Sequence, residues 1–212
     1  MRTEIIGLVF LSSLFITSCQ KQAVKVELIL QKAEALIEQH PDSSLVLLEE
    51  IPDPQSLKKS LYYKYFLVQI QAKYKNYKDI TADTLVFAIR DYYKNRNKPE
   101  ETALATFYCG RVYQEQNKFE DALQAFLDTE QQLEQSKNFN LKGLCQNAIG
   151  YLYYKQHLND KATIPFTSAP EYFYQAQNYK DQIISIKFIG NSLLVSGKTD
   201  SAFIYYNKGL GM

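Results

Sequence analysis

The side chains able to do chemistry in this sequence are few and scattered. There are two histidines, His40 and His157, and three cysteines, Cys19, Cys109 and Cys145. His40 precedes Pro41 at the end of one amphipathic stretch, and His157 ends another. Polar groups are tolerated there because the last carbonyls of a helix lack partners. No cluster of histidine and cysteine has the spacing that zinc requires. Glu49–Glu50 and Glu100–Glu101 are sequence neighbours, and adjacent side chains on a helix point apart instead of sharing a proton. No H-E-x-x-H, G-x-S-x-G or glycine-rich phosphate loop occurs. No catalytic residue, cofactor or metal is expected, and the chain reads as a non-enzyme.

The cysteines divide into two kinds. Cys109 and Cys145 fall on apolar faces of neighbouring amphipathic stretches. They suit buried thiols, although an exported chain could also bridge them. Cys19 closes the stretch MRTEIIGLVFLSSLFITSC. Arg2 supplies a positive start, and Ile5 to Ile16 is apolar apart from Gly7, Ser12 and Ser13. That core is shorter than the roughly 20 residues a spanning helix needs, so residues 1–18 are expected to be an export signal. The ending Ile16-Thr17-Ser18-Cys19 resembles the lipobox of bacterial lipoproteins. The resemblance implies cleavage before Cys19, a diacylglyceryl thioether on its sulfur and acylation of its new amine, with fatty acids such as palmitate. More than one acyl chain gives stable anchoring to a bilayer. Residues 19–23 then form a lipidated tether. Gln20-Lys21-Gln22 carries no acidic run of the kind that resembles a surface-display signal, which favours an outer-membrane anchor facing the periplasm.

Composition sets the frame for the rest. The chain has 212 residues, 46% apolar and 22% charged, with a formal net charge of +1. That balance suits a folded body and gives no reason to expect nucleic acid as a partner. Glycine (8) and proline (6) are too thin for a disordered chain. The 17 tyrosines and 12 phenylalanines are expected to fill helix–helix contacts, with tyrosine hydroxyls left wet.

The organising pattern is a size alternation that returns every 40 residues. Gly110, Tyr113, Ala122 and Phe126 are followed by Gly150, Tyr153, Ala162 and Phe166, then by Gly190, Leu193, Ala202 and Tyr206. Two packed helices need such small and large residues to face one another, and a fixed period of this kind marks a helical repeat array. The expected pairs span 24–51, 57–95, 100–135, 140–175 and 179–209 within a domain at 24–212. Asp42, Asp160 and Asp200 are expected N-caps. Pro99 fits a first turn. Pro165 and Pro170 fall inside a helix and predict a bent or two-part element.

The alternation resembles the tetratricopeptide repeat, well over 100–210 and loosely over 24–95. Its period of 40 exceeds the usual length of about 34. The resemblance implies an all-α fold, a right-handed superhelix of stacked antiparallel helix pairs. Together with the lipobox, the whole chain resembles the tetratricopeptide lipoproteins of Bacteroides-like bacteria. Such repeats typically bind peptides or proteins on the concave face lined by the first helix of each pair. Here that implies a groove of Phe107, Arg111, Gln114, Asn147, Tyr151, Tyr154, Lys187 and Asn191. Its aromatics, amides and cations suit a peptide backbone or a carboxylate. The expected function is a membrane-anchored, non-enzymatic scaffold for an unknown protein or peptide. Two alternatives remain: a carbohydrate-uptake lipoprotein that binds glycans, and a truncated sensory part of a transcription regulator.

Overall fold

The computed structural model describes residues 22–212; the expected export signal and Cys19 lie outside the described residues. All regular structure among the described residues is helical. The chain forms two compact units that meet at Ile80 and Thr81.

The first unit contains α1 (residues 22–36), α2 (Pro41–Glu49), a short 3₁₀ turn at Pro54–Ser56 and α3 (Lys59–Lys75). Leu30, Ala33 and Ile37 meet Leu48, Val68 and Ala72 in its core. Two ion pairs tie α3 to the α1 segment, Lys64 to Glu27 at 2.9 Å and Lys75 to Glu38 at 2.6 Å. Both are partly exposed, so they add little to stability beside the apolar cluster.

The second unit contains α4 (Leu85–Lys94), α5 (Pro99–Glu115), α6 (Phe119–Gln132), α7 (Phe139–Lys155), α8 (Asn159–Gln175), α9 (Tyr179–Val195) and α10 (Thr199–Leu210). Each helix packs on the next in sequence. The pairs α5/α6, α7/α8 and α9/α10 carry the 40-residue alternation, and its physical basis is a ring laid on a glycine. A methyl group added at Gly110 would lie 2.5 Å from Phe126, and one at Gly150 would lie 2.6 Å from Phe166. At Gly190 it would collide with Tyr206 in the same way. Ala122, Ala162 and Ala202 are fully buried in the second helices. Gly143, outside the expected pattern, repeats the device against Phe173.

The turns inside these pairs are equally regular. Asn117, His157 and Gly197 adopt positive φ of 59°, 60° and 75°. Tyr77, Asn97 and Gln177 do the same after α3, α4 and α8. Each left-handed residue closes a Schellman motif, in which two N–H groups satisfy the last carbonyls of the helix. The N–H groups of Lys118, Leu158 and Lys198 donate to the carbonyls of Tyr113, Tyr153 and Leu193, all at 2.9 Å. Those same three residues are the N-caps of the following helices. Three residues therefore suffice to end one helix and begin the next.

Two sequence expectations need correction. Asp42, Asp160 and Asp200 are not N-caps: His40, Leu158 and Lys198 hold those positions, without side-chain cap bonds. The aspartates lie in the first turn, where they complement the helix dipole. Asn138 and Asn178 cap with their side chains, accepting from the N–H groups of Leu141 and Asp181. Finally, α8 is not two-part: it runs as one helix through Pro165 and Pro170. Each interior proline costs about 3 kcal/mol in isolation. Pro165, Phe166, Ala169 and Phe173 are all buried, and that packing offsets the lost hydrogen bonds. The hydroxyls of Thr167 and Ser168 also donate to the Ile164 carbonyl.

If the ring-on-glycine contact sets the pair spacing, Gly150→Val destabilises the protein by about 1–3 kcal/mol through overpacking. Chemical denaturation measures this. Adding Phe166→Leu then costs less than it does in the wild-type background.

Candidate functional site

The expected groove residues occupy three columns on α5, α7 and α9, each column read at the 40-residue register. The structure treats the columns differently. Phe107, Asn147 and Lys187 form the first. Phe107 is 0% exposed, with its ring centroid 5.2 Å from Tyr108 and 5.5 Å from Phe126. It has no surface to offer a ligand, so its place in the expected groove is corrected to one in the core. Asn147 is 8% exposed, and its Nδ2 donates to Ser185 Oγ of α9 at 2.8 Å. At Asn147 this column is the seam on which the next pair docks. Lys187, its last member, is exposed and lines an apolar groove on α9/α10.

Arg111, Tyr151 and Asn191 form the second column. Arg111 is buried, with its guanidinium 4.9 Å from the Phe107 centroid and 5.3 Å from that of Phe126. Its Nη1 donates to Gln114 Oε1 at 3.0 Å. Two ring faces and an amide therefore hold this cation within the fold. Tyr151 is half-buried against the Ala162–Phe166–Ile189 cluster. Asn191 Oδ1 accepts from the Tyr206 hydroxyl at 2.8 Å, which ties α9 to α10.

Gln114 and Tyr154 belong to the third column, and both are half-buried. Its α9 member is Leu194, 47% exposed beside Val195 at 53%. Sequence reasoning missed both, although adding 40 to the number of Tyr154 reaches Leu194. The surface on this side thus comprises Gln114, Tyr151, Tyr154, Asn191, Leu194 and Val195: tyrosines and aliphatics bordered by amides.

Cys109 and Cys145 are free, buried thiols. Cys145 Sγ donates to the Phe126 carbonyl at 3.0 Å. Burial pushes the Cys109 thiol up from 9.0 to about 12, against the pull of Arg90 and with the help of Asp91. Cys145 is raised as well, chiefly by burial and then by Glu130, with Arg111 opposing. Neither thiol has the electropositive, accessible setting of a reactive cysteine. No group of three or more histidine, cysteine, aspartate or glutamate residues could hold a metal among the described residues.

Solved structures share this architecture. A signal-transduction ATPase with a tetratricopeptide repeat sensor, from Pyrococcus horikoshii, superposes with a TM-score of 0.60 at 15% identity. The match covers 84% of this chain but 29% of that one, so this chain spans under a third of its length. BtubC from P. vanneervenii gives 0.61 at 14% identity over 91% of this chain and 89% of that one. The repeats of a putative kinesin light chain from Podosopora anserina give 0.61 at 10% identity over 88% and 93%. No family model matches the sequence, and no curated protein does. At these identities the likeness concerns the fold alone: an all-α solenoid of paired antiparallel helices resembling tetratricopeptide repeats.

The buried thiols make a pH prediction with a definite sign. Below pH 9 both folded and unfolded states keep the Cys109 proton. Between 9.0 and about 12 the unfolded state loses it first, so stability falls as pH rises through that window. The measure is a difference: denaturation curves of Cys109→Ala should decline less steeply with pH than those of the wild type.

Proposed function

We propose that this chain is a non-enzymatic interaction module that binds a peptide or protein segment on the face formed by α5, α7 and α9. The observation that carries this reading is the surface of Tyr151, Tyr154, Leu194 and Val195, which the packing of the pairs leaves partly or largely open. Tyrosine offers broad contact area with little rotamer entropy to lose, and its hydroxyl can reach a peptide carbonyl. Gln114, in register with Tyr154 on α5, carries an amide whose Oε1 accepts from Arg111 and whose N–H₂ can donate to a peptide carbonyl. The repeat fold supports the reading, since it builds long, shallow surfaces instead of enclosed catalytic clefts.

The reading extends to placement. The segment ending in Cys19 supports a lipoprotein of the tetratricopeptide kind found in Bacteroides-like bacteria, held at the outer membrane and facing the periplasm. No helix among the described residues is long and apolar enough to cross a membrane. Acyl chains on Cys19 would place the repeats next to partners of the envelope.

Photo-crosslinking tests both halves. With p-benzoylphenylalanine in place of Tyr154 or Leu194, irradiated cells should yield one discrete protein adduct. The same probe in place of Tyr77, 92% exposed in the first unit, should yield none. A smear or no adduct at Tyr154 and Leu194 removes the binding reading. Cells fed an alkynyl palmitate should label the wild-type chain but not Cys19→Ala; labelling of the variant removes the lipid anchor.

A further inference from the structure

The links between successive helices of the second unit are short and locked, with one exception. Three residues join α5 to α6, α7 to α8, α8 to α9 and α9 to α10, and four join α4 to α5. Each of these links holds one left-handed residue, and the Schellman bonds around it fix the angle at which the chain turns. Six residues, 133–138, join α6 to α7, and none of them is left-handed. Leu133 and Leu141 are buried on either side of this link. Residues 134–138 between them are exposed or half-buried, so the two helix ends are anchored while the connection is not.

The packing across the link differs in the same sense. α6 meets α7 less extensively than α8 meets α9. At the α8–α9 seam the Phe166 ring stacks on Phe188 with centroids 5.4 Å apart, and Ile189 is buried with Ala162. Asn147 bonds Ser185, and Asn178 Nδ2 donates to Asn140 Oδ1 at 2.8 Å, which ties α7 to the α9 side as well. Three polar contacts cross from α7 to α6. Gln146 Nε2 donates to Glu130 Oε1 at 2.6 Å, Lys142 Nζ to the Glu134 carbonyl at 3.2 Å, and Cys145 Sγ to the Phe126 carbonyl. Glu130 and Glu134 are exposed, and both border an open groove of ≈ 440 Å³ between α6, α7 and α8. Water reaching that groove can replace the first two contacts at little net cost.

We propose that residues 134–138 are a hinge on which α4–α6 turns as one body against α7–α10. A few loop residues absorb the backbone change, and the bodies on either side keep their packing. The hinge divides the inner face. Gln114 stands on one body, and Tyr151, Tyr154 and Leu194 stand on the other, so the turn changes the gap between α5 and α7 and leaves that between α7 and α9 fixed. A ligand spanning both bodies would then select one gap from those already populated. This last consequence rests on the inner face being a binding surface; the hinge itself does not.

The test measures the two seams at equal offset. Gln124, Ile164 and Ile204 stand in register on α6, α8 and α10, and all three are exposed. With p-acetylphenylalanine in place of two of them at a time, and a nitroxide joined to each ketone, double electron–electron resonance gives a distance distribution for each pair. The distribution between 124 and 164 should be about twice as wide as that between 164 and 204. Lys142→Ala with Gln146→Ala should widen the first further and leave the second unchanged. Equal widths without those two substitutions, or a wider distribution between 164 and 204, overturn the hinge. A wide distribution between 124 and 164 that the double substitution does not alter overturns it too, because the motion would then lie within a helix pair and not at the seam. If the hinge is found and crosslinking from Tyr154 and Leu194 yields no adduct, the binding reading alone falls.

Discussion

The architecture depends on an aromatic ring resting on bare backbone. Phe126 on Gly110, Phe166 on Gly150 and Tyr206 on Gly190 each set the distance between the two helices of a pair. With a side chain at the glycine, the ring would have to leave and the helices would separate. Interiors are packed too densely to absorb such a change locally. Ala122, Ala162 and Ala202 are fully buried in the second helices. The pair is thus a rigid unit, and the seam on which the next pair docks inherits its geometry.

The turns supply a second constraint, in the form of a clock. Left-handed residues at 77, 97, 117, 157, 177 and 197 stand at multiples of twenty residues. Five of the six are not glycine, so each carries the strain of about 1–2 kcal/mol that a Cβ brings in that conformation. The Schellman hydrogen bonds and the burial of the helices on either side offset it. The clock misses once, after α6. There the Ser136 N–H returns to the Leu133 carbonyl, and Asn138 starts α7 with a side-chain cap. A groove of ≈ 440 Å³ lies beside Glu130, Lys142 and Tyr172.

These two constraints divide the first helices into a covered and an uncovered part. Phe107 belongs to the core of its own pair and Asn147 to the seam with the next. Residues two turns further on, such as Tyr154 and Leu194, reach the surface. Spacing on a helical wheel places both groups on one broad face, and the separation comes from the neighbouring helix. That is why Phe107 read as a ligand contact but lies in the core, and why Arg111 proved to be a buried cation held by rings and by Gln114.

The sequence by itself determined the helical class, the 40-residue period and the glycines and rings that meet within each pair, whereas Tyr113 of the same pattern packs on Phe87 of α4. Those features are local or periodic, because they depend on side-chain size at fixed offsets along one chain. It also marked the surface tyrosines of α7, although adding the period to Tyr154 was needed to reach Leu194. Tertiary structure decided the rest. It kept α8 intact through Pro165 and Pro170, since burial of Phe166, Ala169 and Phe173 outweighs two missing hydrogen bonds. It moved the N-caps of α8 and α10 from Asp160 and Asp200 to Leu158 and Lys198, which the preceding Schellman turns fix in place. And it assigned Lys187 to an open groove while covering Asn147, because burial depends on what packs against a residue and not on its own type.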